Sequence, residues 1–420
     1  MNRYSERLWV KPVIACLLSM AGVGLAHFAD NISIDWKVPE IAQSSVIDLL
    51  KIIAASMLGI ATFAVASMVS AYASTGQSAT ARAFPLIVAD DVSQNALSVF
   101  VGAFIFAIIA LSATTNDYFG KAGRFTLFVL TLLTLMIVIL VFVRWVDSIA
   151  RLGRLSAVIA KVEQATAQAM TRRKKQPFLG GLAASGPSCG LAFHSDDSNN
   201  SGNVGYLQRI DMSALQEIAT NSKVRITLAV LPGAMIVPSR PLGYVLQDSI
   251  DSGPVEAALL SKAFIIGPVR RFDDDPRFGL VALSEIGCRA LSPGINDPGT
   301  AIAVLGSVHR LFSNWVGPAD PVELEYDRIE APELSLDEML EDVFPALARD
   351  GAGLIEVAMR VQRVLGELGR CGNSQLALAA RRHAEQAMAR SERALDFPAD
   401  LELLRLRHED YQAPPFRPAA

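Results

Sequence analysis

The sequence has few of the residues that build metal or nucleophile sites, and they are scattered. It contains four cysteines and five histidines in 420 residues. The cysteines form no CxxC pair, so neither a zinc site nor a disulfide framework is indicated. Ser284, Ser292 and the histidines stand in no GxSxG, HExxH or P-loop context. We predict no cofactor, leave a metal site open, and favour a protein that is not an enzyme.

An excess of charge of one sign is also missing. Lysine and arginine together number 38, aspartate and glutamate 42, and the net charge is −4. A balance this close to neutral gives no basis for binding to nucleic acid, which requires a strongly basic surface. We therefore predict no nucleic-acid partner.

Long apolar runs are abundant, and they lie in the first third of the chain. Mean hydropathy is +0.33, and 51% of the residues are hydrophobic. A helix of roughly 20 apolar residues crosses a bilayer. Four segments meet that length, so the protein is predicted to lie in a lipid bilayer. They are residues 12–29, 47–71, 96–113 and 125–143.

Local charge around these segments predicts their orientation. Basic residues cluster before the first segment and after the fourth, whereas the first loop is mainly acidic. Because cytoplasmic loops carry the excess of Lys and Arg, both termini are predicted to be cytoplasmic. Lys121 and Arg124 in the other outer loop weaken the asymmetry without reversing it. A cleaved signal peptide is the alternative interpretation of the first segment.

The second segment is rich in small and hydroxyl-bearing residues. Ala55, Gly59, Ala66 and Ser70 recur close to four-residue spacing. Such a face favours close packing of helices, within the bundle or in a homo-oligomer, and it could also line a pore for a small ion or solute. No charged residue lies in the middle of a segment, which argues against a proton-coupled transporter. The candidate pore-lining residues are Ser56, Thr62, Ser67 and Ser70.

The rest of the chain predicts a cytoplasmic α+β region. Two-residue periodicity over residues 223–231, with Pro-Gly turns nearby, indicates a small β-meander or barrel, and helical patterns dominate after it. The predicted fold is a membrane domain of four transmembrane helices plus this α+β region, which ends in a helical part. The predicted divisions are a membrane domain (1–146), an amphipathic stalk helix (147–176), a linker (177–203), the β-rich module (204–255), a mixed then helical domain (256–412) and a disordered tail (413–420).

Two polar strings stand out in the cytoplasmic region, VRRFDDDPRFG and ALSPGINDPGTA. Asp275 and Asp297 each precede a proline, the pattern of an N-cap followed by Pro in the first helical turn. The alternative is one polar site, in which carboxylates bind a cation or guanidinium groups bind an anion. The candidate residues for that site are Arg270, Arg271, Asp275, Asn296 and Asp297.

The same two strings, with four apolar segments and a β-rich middle, resemble a family. They look like the bacterial membrane proteins catalogued as domain of unknown function 2254, over nearly the whole chain. The resemblance implies a multi-pass protein of the inner membrane and assigns no activity.

Three functions are consistent with the sequence. The leading hypothesis is an oligomeric passive channel or transporter that its cytoplasmic domain regulates. The second is a membrane-anchored sensor or scaffold, in which the apolar segments serve as anchor. The third is a membrane-tethered enzyme that uses the Arg and Asp cluster.

Overall fold

The computed structural model describes residues 10–29, 39–78, 80–88, 91–152, 154–184, 190–195, 204–247, 255–317 and 324–412. Contacts within the chain separate two units, Met1–Val158 and Ile159–Ala420. The predicted tail lies outside the described residues, as does much of the predicted linker.

The first unit is helical. Its helices are α1 (Val10–Ala29), α2 (Gln43–Ser78), α3 (Phe84–Val88), α4 (Asp91–Thr115) and α5 (Lys121–Leu152). All except α3 are long and apolar enough to cross a membrane, so the structure has four candidate spans where the sequence predicts them. At about 1.5 Å per residue, the 20 residues of α1 rise about 30 Å, which matches the hydrocarbon thickness of a bilayer.

Helix α4 packs against each of the other three long helices of this unit. Gly102 lets α1 come close, because a Cβ at this position would lie 3.0 Å from the Cβ of Ala15. Ser19 adds a hydrogen bond, with its hydroxyl donating to the Gly102 carbonyl oxygen at 2.8 Å. Elsewhere in the bundle the rings of Phe100 and Trp145 meet edge to face, with centroids 6.0 Å apart. Apolar packing therefore dominates the interior.

The second unit contains two sheets. The strands are β1 (Leu182–Ala183), β2 (Leu191–Phe193), β3 (Gly205–Ile210), β4 (Val224–Leu228), β5 (Met235–Ile236), β6 (Gly243–Gln247), β7 (Phe264–Gly267) and β8 (Ile329–Ala331). One sheet has five strands in the order β1-β8-β4-β6-β2, and the other has three in the order β5-β3-β7.

This strand order corrects the predicted meander or barrel. β4 forms where the alternating pattern predicts a strand, but β5, the next strand in sequence, pairs with β3 in the other sheet. β8 arrives from much later in the chain and pairs with β4 in parallel. Ile226, Thr227 and Leu228 are all buried, which fits a central strand with neighbours on both sides. Neither sheet closes into a barrel over the described strands.

Helices lie before, between and after the strands along the chain and make up the C-terminal part. They are α6 (Leu155–Lys175), α7 (Met212–Ser222), α8 (Ala257–Ser261), α9 (Pro276–Ala290), α10 (Pro298–Val316), α11 (Leu336–Glu341), α12 (Phe344–Asp350), α13 (Ile355–Leu368), α14 (Ser374–Ala394) and α15 (Pro398–Gln412). The predicted N-caps at Asp275 and Asp297 are confirmed, since each side chain accepts a hydrogen bond from a backbone N–H of the first turn. The side chains of Asp211, Ser335 and Asn373 cap their helices in the same way.

Helix α6 forms residues 155–175 of the predicted amphipathic stalk (147–176), whose first residues belong to the end of α5. Glu163 accepts two hydrogen bonds from the Arg310 guanidinium, both at 2.7 Å. The Lys174 ammonium donates to the carbonyl oxygens of Asn314 and Gly317, at 2.9 and 2.7 Å, and so satisfies the C-terminal end of α10. Lys174, one of the basic residues that end α6, therefore stabilises the packing of α6 against α10.

Candidate functional site

The two polar strings lie at opposite ends of α9. Asp275 is the residue immediately before the helix, and its carboxylate caps it. Asp297 lies past the other end, where its backbone N–H donates to the Ala290 carbonyl oxygen at 2.8 Å. The 15 residues of α9, which lies between them, rise about 22 Å. The structure therefore does not bring Asp275 and Asp297 into one pocket.

Asp275 is the most enclosed carboxylate of the predicted set. Its side chain is 3% exposed and accepts two hydrogen bonds from Arg270, at 2.7 and 3.0 Å. The backbone N–H of Phe278 donates a third, at 3.1 Å. A Cβ on Gly233 would lie 2.2 Å from the Asp275 Oδ2 atom, and Gly233 also has a positive φ of 97°. Only glycine fits this turn against the carboxylate.

A second guanidinium, that of Arg173, lies beside this carboxylate. Arg173 is 4% exposed, and its Nη2 donates to the Asp274 carbonyl oxygen at 3.4 Å. Its Nη1 has no hydrogen-bond partner among the described residues. Burial lowers the pKa of Arg173 to about 10, while the charges of Asp274 and Asp275 oppose that change. The cation therefore stays protonated at neutral pH.

Burial also raises the pKa of Asp275, and the hydrogen bonds and charge of Arg270 oppose that rise. Arg270 lies 5.3 Å from the Phe278 ring centroid, a cation–π contact that holds the guanidinium in place. We call Arg173, Arg270 and Asp275 the buried ionic cluster. It connects α6, the turn at Gly233 and the start of α9, and its carboxylate is fully engaged by protein donors.

The other predicted members of the polar site face solvent or cap a helix. Arg271 pairs with Asp273 at 3.3 Å between two exposed side chains. Asp297 accepts from the Thr300 backbone N–H at 3.1 Å and from the Thr300 hydroxyl at 2.6 Å. The hydroxyl is the larger of these causes of its lowered pKa. Asn296 is exposed and takes a left-handed φ of 50°, which suits the corner between α9 and α10.

The candidate pore-lining residues lie on the outer face of α2. Ser56, Thr62 and Ser70 are exposed and Ser67 is half-buried. The Thr62 hydroxyl donates to the Leu58 carbonyl oxygen of its own helix at 2.7 Å. The described residues of α2 that turn into the bundle are apolar: Val46, Leu50, Ile53, Ala54, Met57, Ala64 and Met68.

Metal and nucleophile chemistry finds no support in the described residues. No three His, Cys, Asp or Glu side chains of that part of the chain are placed to hold a metal ion. Burial and the neighbouring Asp350 raise the pKa of Cys288 to about 12, so its thiol is a poor nucleophile. One GxSxG string occurs at residues 186–190. Residues 185–189 of this string lie outside the described ranges. A nucleophile elbow is followed by a helix, whereas here strand β2 begins at Leu191.

Sequence reasoning missed Arg173, because it stands in the run TRRKK, which is typical of a solvated basic face. A usable signal was present. Val162, Thr166 and Ala169 precede it at helical spacing, and all of them are buried. The fourth position of that stripe is Arg173, so periodicity alone could have predicted its burial.

Fold and site together define an integral membrane protein with four candidate spans and a larger α/β unit, whose described polar centre is a closed ionic cluster. Its contact with the lipid bilayer follows from the spans. The chain belongs to the family described as "Predicted membrane protein (DUF2254)", whose sequence profile matches residues 5–367. The resemblance inferred from the polar strings is confirmed.

Curated relatives from mycobacteria are similar over a shorter stretch. The "Uncharacterized protein Rv1290c" of Mycobacterium tuberculosis (strain ATCC 25618 / H37Rv) is 31% identical over 127 residues, which cover 30% of this chain and 24% of that protein. The "Uncharacterized protein Mb1321c" of Mycobacterium bovis (strain ATCC BAA-935 / AF2122/97) matches to the same extent. The match thus spans about a quarter of these relatives. No solved structure matches the chain significantly.

Proposed function

We propose that the protein is a homo-oligomer of the inner membrane that forms a passive channel or transporter for a small ion or solute. Copies meet along the outer face of α2, and the larger unit regulates the pathway. The observation that carries this proposal is the position of the small residues of α2. Ala55, Gly59, Thr62 and Ala66 follow one another at helical spacing and are all exposed. We call these four residues the α2 stripe.

The α2 stripe differs from the other exposed faces of the bundle. On α1, Leu18 is 67% exposed and on α5, Leu140 is 60% exposed, as expected of side chains that meet lipid tails. The stripe offers lipid only small groups. Small residues at this spacing let two helix backbones approach each other closely in a membrane. Phe63 and Val69 are exposed beside it and would border such a contact.

Gly59 is not required by packing within one chain. A Cβ built on it meets no atom within 4 Å, whereas the Cβ of Gly102 would touch Ala15 of α1. A second copy provides a reason for glycine at this position, because its helix would occupy the open space. The hydroxyls of Ser56, Thr62 and Ser70 would then border any path between copies, since the buried residues of α2 are apolar.

The orientation is part of the same proposal. Both termini and the larger unit lie in the cytoplasm, an arrangement that the basic residues flanking the first and fourth spans support. The positive-inside bias acts through short loops close to the span ends. Labelling of single cysteines introduced near residue 2 and residue 119, in intact cells with a membrane-impermeant reagent, tests it. Labelling at position 2 without labelling at 119 would contradict it.

Gly59→Leu tests the contact between copies. The new side chain enters open space in one chain but blocks close approach of a second helix, so we expect the oligomer to dissociate. Gly24→Leu is the matched control, because a Cβ on Gly24 of α1 also meets no atom within 4 Å. Light scattering of the detergent-solubilised protein measures the mass of each. Equal masses for the wild type and both variants would contradict an α2 contact.

Flux through liposomes tests conduction itself. Wild-type protein should carry small ions or solutes down a gradient, and replacing Ser56, Thr62 and Ser67 together by Ala should change the rate. Absence of any flux from an intact oligomer would refute a channel. It would favour the second candidate, a membrane-anchored sensor or scaffold, for which the α2 stripe needs only to assemble copies.

A further inference from the structure

A cavity of about 430 Å³ opens on the C-terminal helices. Its walls come from α10, α13 and α15, and three of its lining side chains are arginines: Arg360, Arg363 and Arg407. Glu356 is the one carboxylate among the lining residues. At neutral pH the cavity lining therefore has a net positive charge, which favours an anionic ligand. We call this cavity the arginine pocket.

Two of the three guanidinium groups have N–H donors without an acceptor among the described residues. The Nε atom of Arg360 is buried and has no hydrogen-bond partner among the described residues. Arg407 makes no hydrogen bond or ion pair within the part of the chain that the structure describes. Arg363, by contrast, pairs with Glu367 one turn along α13, at 3.0 Å. The Nε atom is enclosed, so an anion would bind the outer nitrogens of the Arg360 guanidinium together with those of Arg407.

The pocket also has a fixed aromatic wall. The ring of Tyr411 lies against α13 at Gly366, where a Cβ would come within 2.3 Å of the Tyr411 Cγ atom. On the ring, the Arg370 guanidinium carbon lies 5.2 Å from the centroid. Ile302 and Met359 supply apolar surface among the remaining lining residues. A ligand that combines an anion with a planar or apolar part matches this lining.

We propose that the arginine pocket binds a small organic phosphate, with its phosphate group on Arg360 and Arg407 and its ring system against Tyr411. A guanidinium binds phosphate oxygens through two parallel hydrogen bonds, which an ammonium cannot do. The cavity volume falls within the roughly 300–1,000 Å³ of small-molecule sites, near the lower end. A mononucleotide is therefore a better match than a dinucleotide.

This site is independent of the proposed pathway in the membrane. It lies in the unit Ile159–Ala420, and α15 lies beyond residue 367, where the family match ends. Binding can thus be measured whether or not the protein conducts. Failure to bind would leave the flux experiment unaffected, and absence of flux would leave the binding experiment unaffected.

Isothermal titration of the full-length protein in detergent, with adenosine monophosphate as the probe, tests the proposal. We expect saturable binding at one site per chain, with an affinity that falls as salt rises. Inorganic phosphate and adenosine should each bind at least about tenfold more weakly, because each lacks half of the contacts. Arg407→Gln should weaken binding about ten- to a hundredfold, the usual cost of losing hydrogen bonds from a charged donor.

Arg405→Gln is the matched control, since Arg405 lies on the same helix but pairs with Glu392 at 2.9 Å outside the pocket. It should bind the nucleotide as the wild type does. Arg360→Lys keeps the positive charge but removes the planar guanidinium that donates two parallel hydrogen bonds, so this variant should also bind the nucleotide more weakly. Equal affinities of the Arg405 and Arg407 variants, or no binding at millimolar nucleotide, would overturn the proposal.

A lipid headgroup presents the same phosphate chemistry, so the titration is repeated with a short-chain phosphatidylglycerol. We expect it to leave the bound nucleotide in place. Displacement of the nucleotide at lower concentrations of the lipid would overturn the assignment to a soluble ligand. Circular dichroism of each variant confirms that the helices are intact, and both Arg405 and Arg407 are exposed, so neither substitution disturbs a core.

Discussion

Removal of the Asp275 carboxylate is expected to be among the most destabilising single changes in the larger unit. Asp275→Ala leaves the Arg270 guanidinium, 19% exposed, without its counter-charge, and takes a neighbouring charge from buried Arg173. Removing one partner of a buried ion pair costs about 3–5 kcal/mol, because the other charge is left uncompensated. The substitution also removes the hydrogen bond that caps α9.

Asp297→Ala measures the cost of losing a helix cap without the loss of an ion pair. Asp297 also precedes a proline and caps its helix, but among the described residues its side chain bonds only within the first turn, chiefly to Thr300. Losing an N-cap of this kind costs about 1 kcal/mol. Asp275→Ala removes a cap as well as an ion pair, so the two substitutions should differ by about 3–5 kcal/mol, the cost of leaving the cations of the buried ionic cluster uncompensated.

Calorimetry of the full-length protein in detergent measures both variants. In domains of this size 1 kcal/mol shifts the melting temperature by about 2–4 °C, so Asp275→Ala, which costs about 4–6 kcal/mol in all, should lower it by roughly 8–24 °C and Asp297→Ala by about 2–4 °C. Arg270→Met combined with Asp275→Leu should recover much of the loss, because apolar groups can replace a buried pair. Equal shifts for the two alanine variants would refute the reasoning, since Asp275 would then act as a cap alone.

Three further results are expected. Gly279→Ala should destabilise by about 1–3 kcal/mol in urea unfolding, because its Cβ would lie 1.9 Å from the Thr166 hydroxyl. Gly306→Ala, with its nearest atom at 3.7 Å, should stabilise by about 0.5–1 kcal/mol, and the opposite order would contradict the packing. Burial, with the nearby Arg382 charge, lowers the pKa of His383, so the unfolded chain binds more protons and stability should fall as pH drops below about 6.5. His383→Leu should flatten this dependence only in part, because burial also lowers the pKa of His408; an unchanged slope would contradict it.

The spans and the helix caps could be predicted because their causes are local. A bilayer requires a run of apolar residues, and the run 125–143 shows one without reference to the rest of the chain. Capping is local as well, so the caps at Asp275 and Asp297 were predicted from the few residues around them. The pairing of β4 with β8 was not, because the strands are about a hundred residues apart and neither sequence specifies the other.

The face of α2 that turns into the bundle could not be predicted from the sequence, for a different reason. Helical periodicity indicated that Ala55, Gly59 and Ala66 share a face, but not whether that face turns inward. In a soluble helix the polar face marks the outside. In a membrane span both faces are apolar, so that signal is lost, and only the packed bundle shows that Ile53 and Met57 are the residues that turn inward.

Asp275 and Asp297 show why the same local motif can have two different roles. Both are Asp-Pro pairs that begin a helix, and capping is predicted equally well for both. What separates them is tertiary, because Gly233 and the Arg270 side chain enclose only Asp275. Because this enclosure excludes both water and a ligand, the Asp275 carboxylate has a structural role and connects the start of α9 to Arg270. The arginine pocket differs, because its three guanidinium groups outnumber its one carboxylate and the protein leaves the Arg360 Nε atom without an acceptor, so a ligand is expected there.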